Sequence, residues 1–188
     1  MNNEFYNDKW TKIINLLPNG GQYRFDIRQH CYNIIKDHID EKSKIFDYAC
    51  GLGLIDLQLE LQKNCKVYGC DFSDVAIDYI NSKIKSKNHF KVTDELFGEK
   101  YDYILAIYFL EHIKDPVEWC KEALKAGKKI IAVIPANFNR NGEHVNMQWK
   151  DWDSFNELFK GFKMERLDVD KYSNISTGFQ HPIFEIWQ

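Results

Sequence analysis

Asp47, Gly51 and Gly53 lie within seven residues of one another in the stretch IFDYACGLGLIDLQL, where an apolar run passes into an amphipathic one. Glycines at the junction of a strand and a helix let the backbone approach a ligand closely, where a side chain would obstruct it. A turn that only tightens a strand-to-helix connection would carry the same glycines. The positions that follow favour a ligand. Asp71 closes the next apolar run, eighteen residues after Gly53. A carboxylate there can accept hydrogen bonds from both hydroxyls of an adenosine ribose; capping the helix that begins at Ser73 is its other reading. Thr93-Asp94 follows a third run, where a carboxylate can receive an adenine amino group or simply stand in a solvated turn. Together the three positions describe an adenosine site.

The kind of adenosine compound is narrowed by what is missing. A dinucleotide turn needs a third glycine for close helix packing, and the chain has Asp56 there. A carboxylate at a helix N-terminus would also repel the pyrophosphate that such a turn holds. No G-K-[ST] follows a glycine loop anywhere, so a phosphate-cradling loop of that type is absent. A nicotinamide-dependent dehydrogenase is therefore disfavoured.

These positions need a scaffold, and the chain spells one by alternation. Two helices come first: Tyr6, Trp10, Ile13 and Leu17 share one face, and Ile27, Cys31, Ile34, Ile35 and Ile39 share another. Strand patterns then occupy 44–50, 66–71, 89–93, 101–109 and 128–134, with helical patterns at 54–64, from Ser73 and from Asp115-Pro116. A further helix over 153–160 precedes two strand patterns, 162–169 and 181–187, with no helix between them. That last pair predicts an antiparallel hairpin at a sheet edge. The expected fold is α/β, a doubly wound (Rossmann-like), mostly parallel sheet with a C-terminal antiparallel hairpin. At 188 residues the chain is long enough for one well-buried domain. We expect a single domain over 1–188, residues 1–42 covering the cofactor site and 43–188 forming the sheet core.

The run Asp47-x-Ala49-x-Gly51-x-Gly53 resembles motif I of the class I S-adenosylmethionine-dependent methyltransferases, with alanine in place of the first glycine. The similarity extends through VYGCDFSDVAIDYI and the segments around strands three to five, over roughly residues 43–188. It is closest in character to type 11/12-like members that act on small molecules. The resemblance implies seven strands with the last one antiparallel, and S-adenosylmethionine as cofactor. It also implies roles. Asp47, Ala49, Gly51 and Gly53 would face the methionine part; Asp71, with Phe72 beside it, the ribose; Asp94 and Glu95 the adenine. Tyr108 begins the loop YFLEHI that lies beside the sulfonium in the family. Arg24 and Arg28, on the preceding helix, are candidates for the cofactor carboxylate, although an exposed helix arginine explains either.

Methyl transfer needs an in-line approach, and an acceptor hydroxyl or ammonium must also lose a proton. His112 and then His144 are the candidate catalytic bases, with Tyr108 third; His112 shaping the pocket is the alternative. Glu111 and His112 alone make a poor site for a hard divalent ion, so no metal is expected. Phe138, Trp149 and Trp152 could line a pocket for a sugar or an aromatic ring, or cover the sheet. The expected reaction is methyl transfer to oxygen or nitrogen of a small-molecule or glycan-linked acceptor. A methyltransferase-like regulatory protein that binds the cofactor without turnover is the alternative.

Composition sets outer bounds. A net charge of −3 carries no basic footprint for nucleic acid. No apolar run of 18 residues exists, so no membrane contact is expected. The start MNNEFYNDKW is polar and unlike a signal peptide, and the five cysteines form no C-x-x-C pair. Both point to a cytoplasmic protein with reduced thiols. Oligomeric state is not legible.

Overall fold

The computed structural model describes residues 3–16, 22–84, 89–93, 95–96, 100–135, 148–168 and 182–188, the side chains of residues 22–27 excepted. Contacts group the chain into two compact units, residues 1–98 and 99–188. The first holds α1 (Asn3–Leu16), α2 (Gln22–His38), β1 (Lys44–Tyr48), α3 (Leu54–Lys63), β2 (Lys66–Asp71), α4 (Asp74–Lys83) and β3 (Phe90–Val92). The second holds β4 (Tyr101–Ile107), a short 3-10 helix (Leu110–His112), α5 (Pro116–Ala126), β5 (Gly127–Val133), α6 (Trp152–Leu158), β6 (Lys163–Arg166) and β7 (Ile183–Trp187).

The strands form one seven-stranded sheet in the order β3-β2-β1-β4-β5-β7-β6. In the first unit β1 pairs with β2, and β2 with β3, both parallel. In the second, β4 and β5 are parallel, while β7 runs antiparallel to β5 and to β6. The C-terminal hairpin therefore has its second strand inside the sheet and its first at the edge. This is the doubly wound, Rossmann-like arrangement that the alternation of patterns predicts.

Each element forms for a reason visible in its residues. α4 is capped by Ser73, whose hydroxyl accepts from the Ala76 amide at 3.2 Å, and it buries Ile77 and Ile80 against the sheet. Asp115 caps α5, with Pro116 at the first helical position, where a missing amide costs nothing. Asp151 and Ser154 form a reciprocal capping box on α6. The inner face of α2 buries Cys31, Ile34 and Ile35, and Ile39 is buried just past its end, as the spacing predicts; Ile27 lies outside the described side chains.

Two expectations shift. The strand pattern 101–109 stops at Ile107, because Tyr108 adopts φ 54, a left-handed conformation that no strand continues through. Trp149 is fully buried, edge-on to Phe155 and Phe159, and Trp152 lies against Phe155 and Phe184. Of the two readings open for these tryptophans, covering the sheet is the one the second unit realises. Phe138 lies outside the described residues.

Candidate cofactor site

The turn after β1 is built from three left-handed residues. Ala49 has φ 60, Gly51 φ 56 and Gly53 φ 63. Glycine adopts this region freely, whereas alanine is strained there by roughly 1–2 kcal/mol. Ala49 thus replaces the first glycine of motif I while keeping the backbone path. The turn is pinned at both ends: the Cys50 amide donates to the Cys70 carbonyl at 2.9 Å, and the Gly53 amide to Cys50 at 3.1 Å. Gly53 then serves as the N-cap of α3 without a side-chain bond.

Close approach is real at both glycines. A β-carbon on Gly51 would stand 2.6 Å from Trp10 Cζ2 and 2.7 Å from Cη2, so the indole of α1 lies directly on that α-carbon. One on Gly53 would stand 1.7 Å from Ile80 Cδ1 and 3.3 Å from Asp56 Oδ2. The same helix α1 brings Asn7 to Ser73, whose hydroxyl donates to Asn7 Oδ1 at 2.6 Å. In the sequence Trp10 reads only as part of an apolar helix face. No spacing signal marks which residue of such a face will rest on a glycine turn.

Three buried carboxyls surround the turn. Asp71 Oδ2 accepts from the Gly51 amide and Oδ1 from the Ser73 amide, each at 2.9 Å. Burial raises its pKa, and the Ser73 and Gly51 amides and Arg28 pull it back. Asp71 thus ties the end of β2 to the glycine turn, and its oxygens still have lone pairs for other donors, while the cap of α4 is Ser73 itself. Asp47 and Asp56 are 2% and 0% exposed. Taken as carboxylates, Asp47 Oδ1 and both Asp56 oxygens have no donor among the described residues. A proton on Asp56 gives the pair one, donated to Asp47. Burial pushes Asp47 up to about 7 against the pull of Arg28. Asp56 is pushed well above the carboxylate range by burial and then by the charge of Asp47. Arg28, half-buried on α2, is the cation that acts on all three acids.

Other sequence candidates are placed singly. Phe72 is half-buried beside Asp71. Glu95 is exposed, its amide donating to Thr93 Oγ1 at 3.2 Å. In the second unit, Tyr108 holds its left-handed conformation with its amide bonded to the Val133 carbonyl at 3.0 Å. Such strain at a strand end costs about 1–3 kcal/mol and is most often seen at functional positions. His112 Nε2 lies 3.9 Å from Glu111 Oε1, and Glu111 is 1% exposed. Asp94 and His144 lie outside the described residues, and so does the side chain of Arg24.

A groove of about 420 Å³ lined by Lys100, Tyr101, Lys128, Lys129 and Trp187 among others opens at the amino-terminal ends of β4 and β5. Its lysines are engaged: Lys128 with Asp102 and Lys129 with Glu185, and Lys100 with the Lys125 carbonyl. In a doubly wound sheet ligands bind at the other, carboxyl ends, so we assign it no part in the chemistry. Among the described residues, no three His, Cys, Asp or Glu side chains are arranged to hold a metal ion. No described helix is long and apolar enough to cross a membrane.

A strand-borne glycine turn tied to an acid at the end of the neighbouring strand, in a sheet of this order, defines the class I methyltransferase fold. The comparisons agree. A family model described as a methyltransferase domain matches residues 24–167. The chain belongs to this methyltransferase family, whose methyl donor is S-adenosylmethionine. No curated protein matches it by sequence.

Among solved structures it is similar to a TehB-like SAM-dependent methyltransferase from Corynebacterium glutamicum, with 16% identity over the whole of both chains and a TM-score of 0.68. It is similar also to magnesium protoporphyrin IX methyltransferase from Synechocystis with bound SAH, at 15% identity. That match covers 87% of this chain and 82% of the other, with a TM-score of 0.61. A third likeness is to coclaurine N-methyltransferase, at 20% identity over 57% of this chain and 36% of that one, with a TM-score of 0.51. At these identities the likeness is one of fold.

Proposed function

We propose that the protein transfers a methyl group from S-adenosylmethionine to oxygen or nitrogen of a small-molecule or glycan-linked acceptor. The observation that carries this reading is the turn itself: three consecutive alternate residues in the left-handed region, with the Gly51 amide held by Asp71. The residues present fit the cofactor. Asp47 to Gly53 take the methionine part, Asp71 and Phe72 the ribose, Asp94 and Glu95 the adenine, and Arg28 or Arg24 the carboxylate. The first helices, residues 1–42, serve as the cover of a single methyltransferase domain; Trp10 on Gly51 and Asn7 on Ser73 support that role.

When bound, S-adenosylmethionine supplies a methyl group already activated on a sulfonium, with a neutral thioether as leaving group. The chain's own residues then have three tasks. The glycine turn and its acids fix the donor's orientation, so that attack is in line. Aromatic and aliphatic cover excludes water from the reacting atoms. His112, or His144, takes the proton that the acceptor must lose as its lone pair forms the new bond to carbon. Neighbours of this fold include, by their names, a porphyrin and an alkaloid methyltransferase, which supports a small acceptor. The negative net charge supports the absence of a nucleic-acid partner, and five cysteines without a C-x-x-C pair support a reducing, cytoplasmic location.

Incubation with methyl-labelled S-adenosylmethionine and fractionated small-molecule and glycan pools tests this. Label transferred to one fraction, with S-adenosylhomocysteine formed in equal amount, is the expected result. Cofactor binding without label transfer to any fraction would favour the non-catalytic, regulatory alternative.

A further inference from the structure

The close approach that the glycine turn permits is already taken. A β-carbon on Gly51, one bond from its α-carbon, would stand 2.6 Å from the Trp10 ring. An atom in ordinary contact needs about 3.5–4 Å on each side, so nothing fits between the turn and the indole. The matching side of Gly53 is filled by Ile80, which is fully buried in the core. The side of the turn that the core leaves open is therefore that of Gly51, and α1 has closed it.

The helix that carries the indole is lightly held. α1 has no fully buried residue, and its Phe5 and Leu16 are 49% and 58% exposed. Asn7 and Trp10 lie three residues apart and share one face of it. Asn7 accepts from the Ser73 hydroxyl at 2.6 Å; the Ser73 amide donates to Asp71 Oδ1, and the Gly51 amide to Asp71 Oδ2. One face of α1 thus touches both ends of the network that shapes the turn. Trp10 Nε1 is buried with no acceptor among the described residues, so docking costs the indole N–H its water. The ring can leave such a contact at little cost. α1 also lies outside the family match, which begins at residue 24.

We propose that α1 is an autoinhibitory gate. In the ligand-free protein the Trp10 indole stands on Gly51, held there by Asn7 on Ser73, and the donor enters only when the indole withdraws. The inference rests on the S-adenosylmethionine reading of the turn and adds a closed state to its cover. Only the open fraction of molecules binds, so the apparent affinity is the intrinsic one reduced by that fraction. A cover that merely wraps the bound donor makes the opposite prediction, because removing its indole would weaken binding.

Stopped-flow mixing and calorimetry of the whole chain with S-adenosylhomocysteine read the gate. In the wild type the observed binding rate should level off as the probe concentration rises, at a limit set by withdrawal of α1. In Trp10→Ala it should rise linearly, and the affinity should be about 3- to 30-fold tighter. Asn7→Ala loosens the hold but keeps the indole, and should shift both quantities the same way by less. Lys12→Ala, which removes an exposed ion pair with Asp8 on the same helix, should change neither. By NMR, the Trp10 indole N–H, assigned by its loss in Trp10→Ala, should be protected from water in the free protein and exchange rapidly in the complex.

Equal or weaker binding by Trp10→Ala, or an indole N–H that stays protected when the probe is bound, overturns the gate. Should Trp10→Ala not fold, Trp10→Phe assigns the signal and the wild-type indole decides alone. Failure of the wild type and Trp10→Ala alike to bind S-adenosylhomocysteine is a different result, which refutes the methyltransferase reading itself.

Discussion

Gly51→Ala isolates the close approach on which the proposed cofactor site depends. The new methyl meets two obstacles. The first is φ 56, which an alanine occupies at a cost of roughly 1–2 kcal/mol, offset by about 0.4–1 kcal/mol of lost unfolded-state freedom. Ala49, already at φ 60 two residues earlier, shows that this turn tolerates such a residue. The second is the Trp10 ring, 2.6 Å from the new carbon against an ordinary contact near 3.5–4 Å, so the indole must move by about 1 Å. Trp10 sits half-buried on α1, a helix with no fully buried residue, and it can yield. The net loss should be about 1–2 kcal/mol, or roughly 2–8 °C in melting temperature for a chain of this size. In the proposed site the new methyl and the indole it displaces stand beside the methionine part of the cofactor, so affinity for S-adenosylhomocysteine should fall by about 100-fold or more. A double-mutant cycle with Trp10→Ala separates the two obstacles: with the indole gone, the clash part should disappear, leaving a coupling of about 1 kcal/mol. Scanning calorimetry and titration of the four proteins supply the numbers. A collapse of stability with normal binding by the folded fraction would refute a ligand-facing turn. A cycle with no coupling would refute the Trp10 contact.

The apo protein should lose stability as pH rises. Asp47 and Asp56 have folded-state pKa values above their unfolded ones. Their contribution is therefore fully present near the unfolded value and is lost as pH rises through about 7. Melting at pH 6 should exceed that at pH 8, and Asp56→Asn should flatten the difference; a rise toward pH 8 contradicts the assignment. Ser73→Ala removes both the α4 cap and the bond to Asn7. It should cost about 1–2 kcal/mol in chemical denaturation, and Asn7→Ala less. His112→Ala should lower single-turnover methyl transfer to a hydroxyl acceptor by roughly 10²–10⁴-fold with cofactor affinity unchanged. If His112→Ala and His144→Ala both stay within a few-fold of wild type, neither histidine is the base.

Most of the scaffold can be read from the chain because its signals are local. Lys66–Asp71 forms the strand its apolar run predicts, and Ser73 and Asp115 cap the helices they announce. Strand ends are less legible where a residue departs from its usual backbone. Nothing in YFLEHI announces that Tyr108 turns left-handed and cuts the strand short. The glycine turn and Asp71 are legible because their geometry demands particular residue types at fixed spacing. Trp10 and Asn7 are not, since their partners Gly51 and Ser73 lie far along the chain and only packing brings them together. Asp56 is legible only as a departure. Asp56 stands where a dinucleotide turn has its third glycine, but its full burial beside Asp47 appears only in the folded arrangement.

Calorimetric titration of the purified protein with S-adenosylhomocysteine and with NAD tests the central claim most directly. Asp71 held to Gly51, and Asp56 where a pyrophosphate turn needs glycine, predict one equivalent of S-adenosylhomocysteine bound and no heat from NAD at the same concentration. Binding of NAD more tightly than S-adenosylhomocysteine would contradict the account.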